Sequence, residues 1–579
     1  MASSITQEIL QNIELNFIAV LNSFALDLNK IRSKSGIVRK KTRDLKSGDI
    51  IIPAGCVQLD NDNPLQVAEI RETLISMLAF DKNCIQNAKF DEFSFLAIYL
   101  DRSKIFKTVF SEVGCQGSAY GFQTPSGRNI LLHAPNKLKG CSMFLSDLRL
   151  LVVQSHVIRL LEANGYTVLH KNKVEEISRD LDITELLDST DDSSPAATTE
   201  INSKPPSSSQ FMDSLKKLSL DPDESKRLAI EPEDASVSTD DCQANATDQH
   251  EASSKNLMLN LKRIIYDKDL RVGKDGYSKN INKVKIFEDG TPTPLLKDAL
   301  IESEAVTSLT HGQITCGCLH IVPQSQSYRQ QQIRLIRLVL LDQSFSESQI
   351  VVGSVIQKGK TVPDSAQSFY RARYQQMKEA SEMRYGPDID ASEIVRRVNL
   401  LTSASIKVDL LGNDSHNELH LEVAETDRPA ESRLGSFILY NTARVAALLN
   451  QFNEKVSKGF YPPLPPVDEV NFALLREEED WELVFLFIAE FPTIVKQTVE
   501  VVFPKDGKYL AKIHTHKITK FLESFCKCLS AHYSRYHILS GNEEHLLPVM
   551  YARLYLMRSA HRVLLNCLHL LDIDALSQL

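Results

Sequence analysis

No two of the ten cysteines, Cys56, Cys84, Cys115, Cys141, Cys242, Cys316, Cys318, Cys526, Cys528 and Cys567, form a C-x-x-C pair. Thiols scattered in this way read as reduced and buried in a cytosolic protein. Cys316-Gly-Cys318 and Cys526-Lys-Cys528 are too closely and singly spaced for a zinc site, so no metal is expected. No apolar run reaches the ~20 residues that would cross a bilayer. The first residues, Met1-Ala-Ser-Ser-Ile-Thr-Gln-Glu8, lack a signal peptide's charged and apolar regions. The expectation is a soluble, cytoplasmic chain that makes no use of a membrane.

Catalytic motifs are also missing. The 15 histidines are dispersed, without H-E-x-x-H, and no G-x-G-x-x-G follows a strand. No glycine-rich loop closes a first strand, as an S-adenosylmethionine site would need. Gly353 to Gly359-Lys-Thr361 is one residue too long for the phosphate-binding G-x-x-x-x-G-K-[ST] loop and reads as a strand entering a basic turn. The sequence therefore predicts neither an active site nor a cofactor. A net charge of -9 excludes a protein that grips nucleic acid over its whole surface, so any RNA site must be a local basic patch.

What is present divides the 579 residues into three domains and one insertion. Residues 1–125 form an α+β domain. They open on an amphipathic helix through Ile9, Ile13, Phe17, Val20, Leu21 and Phe24, and continue into apolar runs at Ile50-Ile-Ile-Pro53 and Phe95-Leu-Ala-Ile-Tyr-Leu100. Between them Lys30, Arg32, Lys34, Arg39, Lys40, Lys41, Arg43 and Lys46 are diluted only by Asp44. The cluster reads as phosphate contacts or as a solvated loop.

Residues 126–400 are α/β. Strand Asn129-Ile-Leu-Leu-His133, a helix from about Met143 to Asn164 and strand Gly165-Tyr-Thr-Val-Leu169 make a β-α-β unit, hence a parallel sheet. Gln313-Ile-Thr-Cys-Gly-Cys-Leu-His-Ile-Val322 and Arg334-Leu-Ile-Arg-Leu-Val-Leu-Leu341 read as strand or buried segments. Gln349-Ile-Val-Val-Gly-Ser-Val-Ile356 reads as a further strand, followed by a polar helix from Tyr370 to Met383. Within this domain, residues 186–256 turn to Ser, Thr, Asp, Pro and Ala. They cannot bury enough apolar area to offset chain entropy, so a disordered insertion is expected, with a transient helix at Phe211 to Leu220.

Residues 401–579 are mostly helical. In the last helix Leu554, Met557, His561, Leu564, Leu568 and Leu571 form an apolar stripe, with His561 read as a satisfied core histidine. Tyr551, Tyr555, Arg558 and Arg562 lie on an adjacent face, within about 60° at ~100° per residue. Upstream, Ile518, Phe521, Phe525, Leu529 and Tyr536 share one arc and Lys517, Lys520, Lys527 and Arg535 the opposite one, with Glu523 the single acid. Lys505, Lys508, Lys512, His514 and His516 extend the positive stretch. Such a face either solvates a structural helix or meets RNA, and the local excess of cations in an acidic chain favours RNA.

Three stretches resemble the arginyl-tRNA synthetase family. Tyr551-Ala-Arg-Leu554 followed by Val563-Leu-Leu-Asn-Cys-Leu-His-Leu-Leu571 resembles the closing helix of that family's DALR anticodon-binding domain. Leu439 to Leu449 is similar to its Tyr-x-x-Ala-Arg helix, placing Tyr440 and Arg444 near the same surface. Ala134-Pro-Asn136, Leu148-Arg149 and Leu160-Leu-Glu-Ala-Asn-Gly165 resemble the opening of its catalytic domain. The resemblance implies a degenerate Rossmann-like class I synthetase-type domain followed by an all-α DALR bundle. The family's ATP-binding His-x-Gly-His is replaced by Phe144, Leu145, Ser146 and Asp147, which lack the histidine donors and set a carboxylate against ATP. Lys455-Val-Ser-Lys-Gly459 lies after the Tyr-x-x-Ala-Arg helix and is no substitute for the second signature.

A synthetase-derived chain with a disabled ATP site and a basic DALR domain resembles the non-catalytic tRNA adapters of this family. That implies recognition of arginine tRNAs and their presentation to a partner methyltransferase that makes 3-methylcytidine in the anticodon loop. The alternatives are a divergent arginyl-tRNA synthetase or a protein-interaction scaffold that no longer binds RNA.

Overall fold

The computed structural model describes residues 5–23, 38–53, 69, 72, 73, 75, 76, 84–90, 95–133, 143–170, 230–232, 256–310, 316–340, 346–358, 365–385, 391–422 and 433–576. The N-terminal part holds α1 (Ile5–Ser23), β1 (Arg39–Lys40), β2 (Ile50–Ile52), β3 (Ile85–Phe90), β4 (Leu96–Leu100) and α2 (Arg102–Gln116). Its strands pair antiparallel in the order β1-β2-β4-β3. Asp101 caps α2, its carboxylate accepting from the Lys104 amide at 3.2 Å. Ile13 and Phe17 of α1 are buried, as the helical spacing predicted. The basic cluster is dispersed. Lys40 is partly buried and donates to Glu490 and to the Phe485 carbonyl, both at 2.6 Å, and Lys41 pairs with Asp44. Positions 30–37 lie outside the described residues.

β5 (Arg128–His133), α3 (Leu145–Ala163) and β6 (Tyr166–His170) form the expected β-α-β unit. β7 (Ile230–Pro232), β8 (Leu257–Asn260), α4 (Leu261–Asp267), β9 (Lys283–Glu288) and β10 (Thr291–Pro292) build a separate antiparallel sheet, ordered β10-β9-β8-β7. β7 lies inside the stretch read as a disordered insertion, so Ile230–Pro232 is a strand and corrects that expectation. The rest of the insertion, including the helix expected at Phe211 to Leu220, lies outside the described residues.

α5 (Pro294–Thr310) leads to β11 (Cys316–Pro323), α6 (Gln324–Leu340) and β12 (Glu347–Val352). The parallel sheet is ordered β12-β11-β5-β6. Arg334–Leu340 is thus the end of a crossover helix and not a strand, since a short apolar run does not separate the two by periodicity. The strand expected at 349–356 is also divided. β12 stops at Val352, and β13 (Val355–Lys358) joins another sheet, pairing parallel with β14 (Leu419–Glu422). Gly353 marks the break, because a Cβ there would come within 2.5 Å of the Asn417 carbonyl oxygen.

α7 (Ala366–Tyr385) and α8 (Ala391–Leu410) precede α9 (Leu434–Ser457), α10 (Glu478–Glu482), α11 (Phe491–Thr498), β15 (Val499–Val501), β16 (Lys512–Ile513), α12 (Lys517–Arg535) and α13 (Leu547–Leu570). The boundary expected at 400 falls inside α8, which runs unbroken to Leu410. One continuous core joins the N-terminal sheet, the parallel sheet and the C-terminal helices, and a second lies under the 257–300 sheet. Besides the Lys40–Glu490 pair, two clusters of contacts help to fix the helical part to the rest. Trp481 Nε1 donates to Asp49 Oδ1 at 2.8 Å, beside an Arg102–Glu478 pair at 2.6 Å. Asp572 pairs with Arg159 of α3 at 2.5 Å and with Lys407 of α8 at 2.9 Å.

Candidate nucleic-acid interface

α9, α12 and α13 bring together the residues expected to meet RNA. Most of the arc predicted for α12 is realised: Ile518, Phe521, Phe525 and Leu529 are buried while Lys520, Lys527 and Arg535 are exposed, whereas Tyr536 falls just past the helix end and Lys517 is partly buried. The four cations are not equivalent. Lys527 Nζ lies 2.6 Å from Glu523 Oε1, and Arg535 pairs with Glu479. Tyr536 donates to the same Glu479 at 3.0 Å, so the end of α12 abuts the acidic run 477–480. At the other end, Lys517 donates to the Gln497 carbonyl at 3.0 Å, and Lys520 is exposed in the first turn. That turn holds no acid, although the positive end of a helix dipole favours one. A cationic turn at a helix N-terminus suits phosphate, with Glu500 the acid that acts on Lys517. Burial lowers the Lys517 ammonium below the usual lysine range. His514 and His516 are flanked by acids: Glu500 lies 3.2 Å from His514, and Asp414 lies 3.4 Å from His516.

On α13 the stripe Leu554, Met557, Leu564, Leu568 and Leu571 is buried as expected. His561 stands within it, its pKa held down to about 4 by burial first and the Arg562 charge second. The adjacent face departs from the expectation. Tyr551 is buried, and Tyr555 donates to the Pro465 carbonyl at 2.7 Å while its ring meets Phe110 and Phe472. Both rings expected to stack bases are instead packing residues: α2 and the 462–475 segment cover Tyr555, and Tyr551 is buried. Arg558 remains exposed and Arg562 partly exposed. On α9, Tyr440 is partly exposed, and the Arg444 guanidinium lies 3.6 Å from the Tyr533 ring centroid, joining α9 to α12 by a cation–π contact.

The four positions of the lost ATP signature form the start of α3. Phe144 is the N-cap residue and is 48% exposed, and Leu145 is buried. Asp147 accepts from the Phe144 amide at 3.0 Å, capping the helix, and Ser146 Oγ accepts from the Val355 amide at 2.9 Å. Next to them Arg149 is fully buried. It donates to the carbonyls of Gly353 (2.8 Å), Asn417 (2.7 Å) and Asp414 (3.1 Å). Burial lowers its pKa to about 10. Sequence reading missed this staple and also the buried His532–Asp480 contact at 2.7 Å. Neither has a local signal, since the partners stand far along the chain.

The DALR anticodon binding domain profile matches residues 438–579. DALR anticodon-binding domain-containing protein 3 of Mus musculus is 26% identical over 514 residues, 84% of each chain. The Danio rerio protein of that name is 27% identical over 329 residues, 56% of this chain and just over half, 56%, of its own length. Thermus thermophilus arginyl-tRNA synthetase superposes with a TM-score of 0.57 at 12% identity, over 98% of this chain and 100% of that one, a likeness of fold. Among the described residues no helix is long and apolar enough to cross a membrane. Residues 438–579 are thus a DALR anticodon binding domain, set on a chain that has the arginyl-tRNA synthetase fold and is similar over most of its length to DALR anticodon-binding domain-containing protein 3.

Proposed function

We propose that this chain is a non-catalytic tRNA-binding adapter. Its DALR domain recognises arginine tRNAs and presents them to a partner methyltransferase that forms 3-methylcytidine in the anticodon loop. The observation that carries the reading is the anticodon binding domain at 438–579, with a cationic first turn of α12 inside it. Lys517 and Lys520 are the leading phosphate contacts, followed by Lys527, Arg535, Arg558 and Arg562. Tyr440 and Arg444 offer a ring and a guanidinium plane to unstacked bases.

The adapter acts by raising the local concentration of the right tRNA at the enzyme. The non-catalytic part rests on Phe144, Leu145, Ser146 and Asp147. Two of these positions hold α3 and β13 in place through the hydrogen bonds of Ser146 and Asp147. None presents a histidine to a nucleotide. The methyl donor belongs to the partner.

The test is to purify the protein from cells and sequence its bound RNA, comparing wild type with Lys517/Lys520/Lys527/Arg535→Glu. Enrichment of arginine tRNAs, lost in the variant, is expected, and an RNA-free preparation overturns the reading. Loss of 3-methylcytidine from those tRNAs in cells lacking the protein tests the methyltransferase step.

A further inference from the structure

The parallel sheet carries a polar layer on the face that α6 covers, where a crossover helix ordinarily packs on aliphatic side chains. His133 ends β5, and the strand register sets it beside His320 of β11. Their Nδ1 atoms face each other at 3.0 Å. Glu302 of α5 approaches the same point, its Oε1 3.7 Å from His133 Nδ1. All three potential ligand atoms lie within 4.8 Å of one another. We propose that His133, Glu302 and His320 form a zinc-binding site.

The distances fit such an ion. Tetrahedral zinc with Zn–N bonds of about 2.0–2.1 Å holds its ligand atoms roughly 3.3 Å apart, and the separations of 3.0 and 3.7 Å bracket that edge. Two imidazole nitrogens turned toward each other need a shared proton or a cation between them. Two imidazoles and one carboxylate form a donor set that zinc accepts.

The groups behind the ligands are those that orient a metal site. Glu347 Oε2 stands 3.6 Å from Nε2 of His320, setting a carboxylate charge behind the ring on the side away from Nδ1, the nitrogen that faces His133. Glu302 Oε2 accepts from Gln330 at 3.0 Å and faces Arg337 at 3.4 Å, which frees Oε1. Gln330 Nε2 also donates to His320 Nδ1 at 3.0 Å, a hydrogen bond that a bound ion would replace, and the Cys318 thiol on the same strand meets the His320 ring. The His320 side chain is 1% exposed and that of His133 17%, so entry is from the β5 end. That end is where the connections of the two central strands diverge to opposite sides of the sheet, the usual ligand position in open α/β folds. Three protein ligands leave a fourth position open.

The cluster joins groups 187 residues apart, which is why no metal-ligand spacing is visible in the chain. The proposal thus departs from the expectation of no metal drawn from cysteine spacing. It is independent of RNA binding by the helical domain.

The test uses the full chain, purified from zinc-supplemented cells and desalted, with its metals measured by inductively coupled plasma mass spectrometry. Apo protein is then titrated with Co2+, and the visible d–d absorption is followed. About one equivalent of zinc and a cobalt band are expected, both falling at least tenfold in Glu302→Gln and His133→Ala. Circular dichroism checks each fold, and if His133→Ala misfolds the nearly isosteric Glu302→Gln decides. Less than about a tenth of an equivalent of zinc with no cobalt band in folded wild type overturns the proposal. So does zinc retained by folded Glu302→Gln, or stoichiometric iron in place of zinc.

Discussion

Under the proposed function, replacing Lys517 and Lys520 together by alanine is expected to weaken tRNA binding more than replacing Lys527 and Arg535, although the four look alike in the sequence. Lys527 and Arg535 already hold Glu523 and Glu479, so a phosphate approaching either must displace a carboxylate. Lys517 and Lys520 stand in the first turn of α12, where the helix dipole adds to their charge and the turn itself holds no acid; Glu500 acts on Lys517 only through space, with no ion pair to displace. Each phosphate contact contributes about 0.9 to the slope of log K against log salt on a duplex. Two lost contacts therefore reduce the slope by about 1.8 and, at 0.1 M salt, cost about sixtyfold in affinity, or about 2.4 kcal/mol. The Lys527→Ala/Arg535→Ala pair is expected to lose no more than about fivefold, the effect being limited to repulsion from the acids left behind. Fluorescence anisotropy of a labelled arginine tRNA across a salt series measures both quantities. Equal losses in the two double variants, or an unchanged salt slope in Lys517→Ala/Lys520→Ala, would refute the reasoning.

Three further outcomes concern how the chain is held together. Arg149→Ala removes the donor to three carbonyls, a buried one at Gly353 and partly buried ones at Asn417 and Asp414, and is expected to cost roughly 2–4 kcal/mol in urea unfolding, with a loss under about 1 kcal/mol counting against the staple. Asp572→Asn keeps the shape but leaves Arg159 and Lys407 buried without their anion. About 3–5 kcal/mol of destabilisation is expected, read as a lower denaturation midpoint, and an unchanged midpoint would show that the pairs contribute nothing. His156 is fully buried between the carbonyls of Leu570 (2.6 Å) and Thr515 (3.0 Å). Burial outweighs both contacts and holds its pKa down to about 4. The unfolded chain therefore binds the extra proton first, and stability falls as pH drops from about 6.5 to about 4, by at most about 3 kcal/mol for this group. His561 and His516 are lowered too, so His156→Gln should flatten part of the pH dependence, and a profile identical to wild type would exclude His156 as a source.

The sequence by itself determined the elements whose signal is local. The 3.6-residue apolar repeats of α1, α12 and α13 and the β-α-β unit at 128–170 stand where periodicity places them, because a face rich in Leu, Ile and Phe must be buried whatever covers it. It also showed that His-x-Gly-His is absent, and it located the cations of α12. Tertiary structure alone decided which polar groups are spent. Arg535 meets Glu479 from 56 residues away, and Lys40 meets Glu490 from 450. Tyr551 is buried, and Tyr555 turns from a stacking face into a packing contact because Phe110 of α2 and Phe472 meet its ring. Residues 334–340 became helix and 349–356 became two strands, since a short apolar run satisfies either period until its neighbours are known. His133 and His320 acquire meaning only through a strand register that sets them side by side. Periodicity specifies which side of an element faces inward, while the opposite charge, ring or ligand it meets comes from residues with no sequence relation to it.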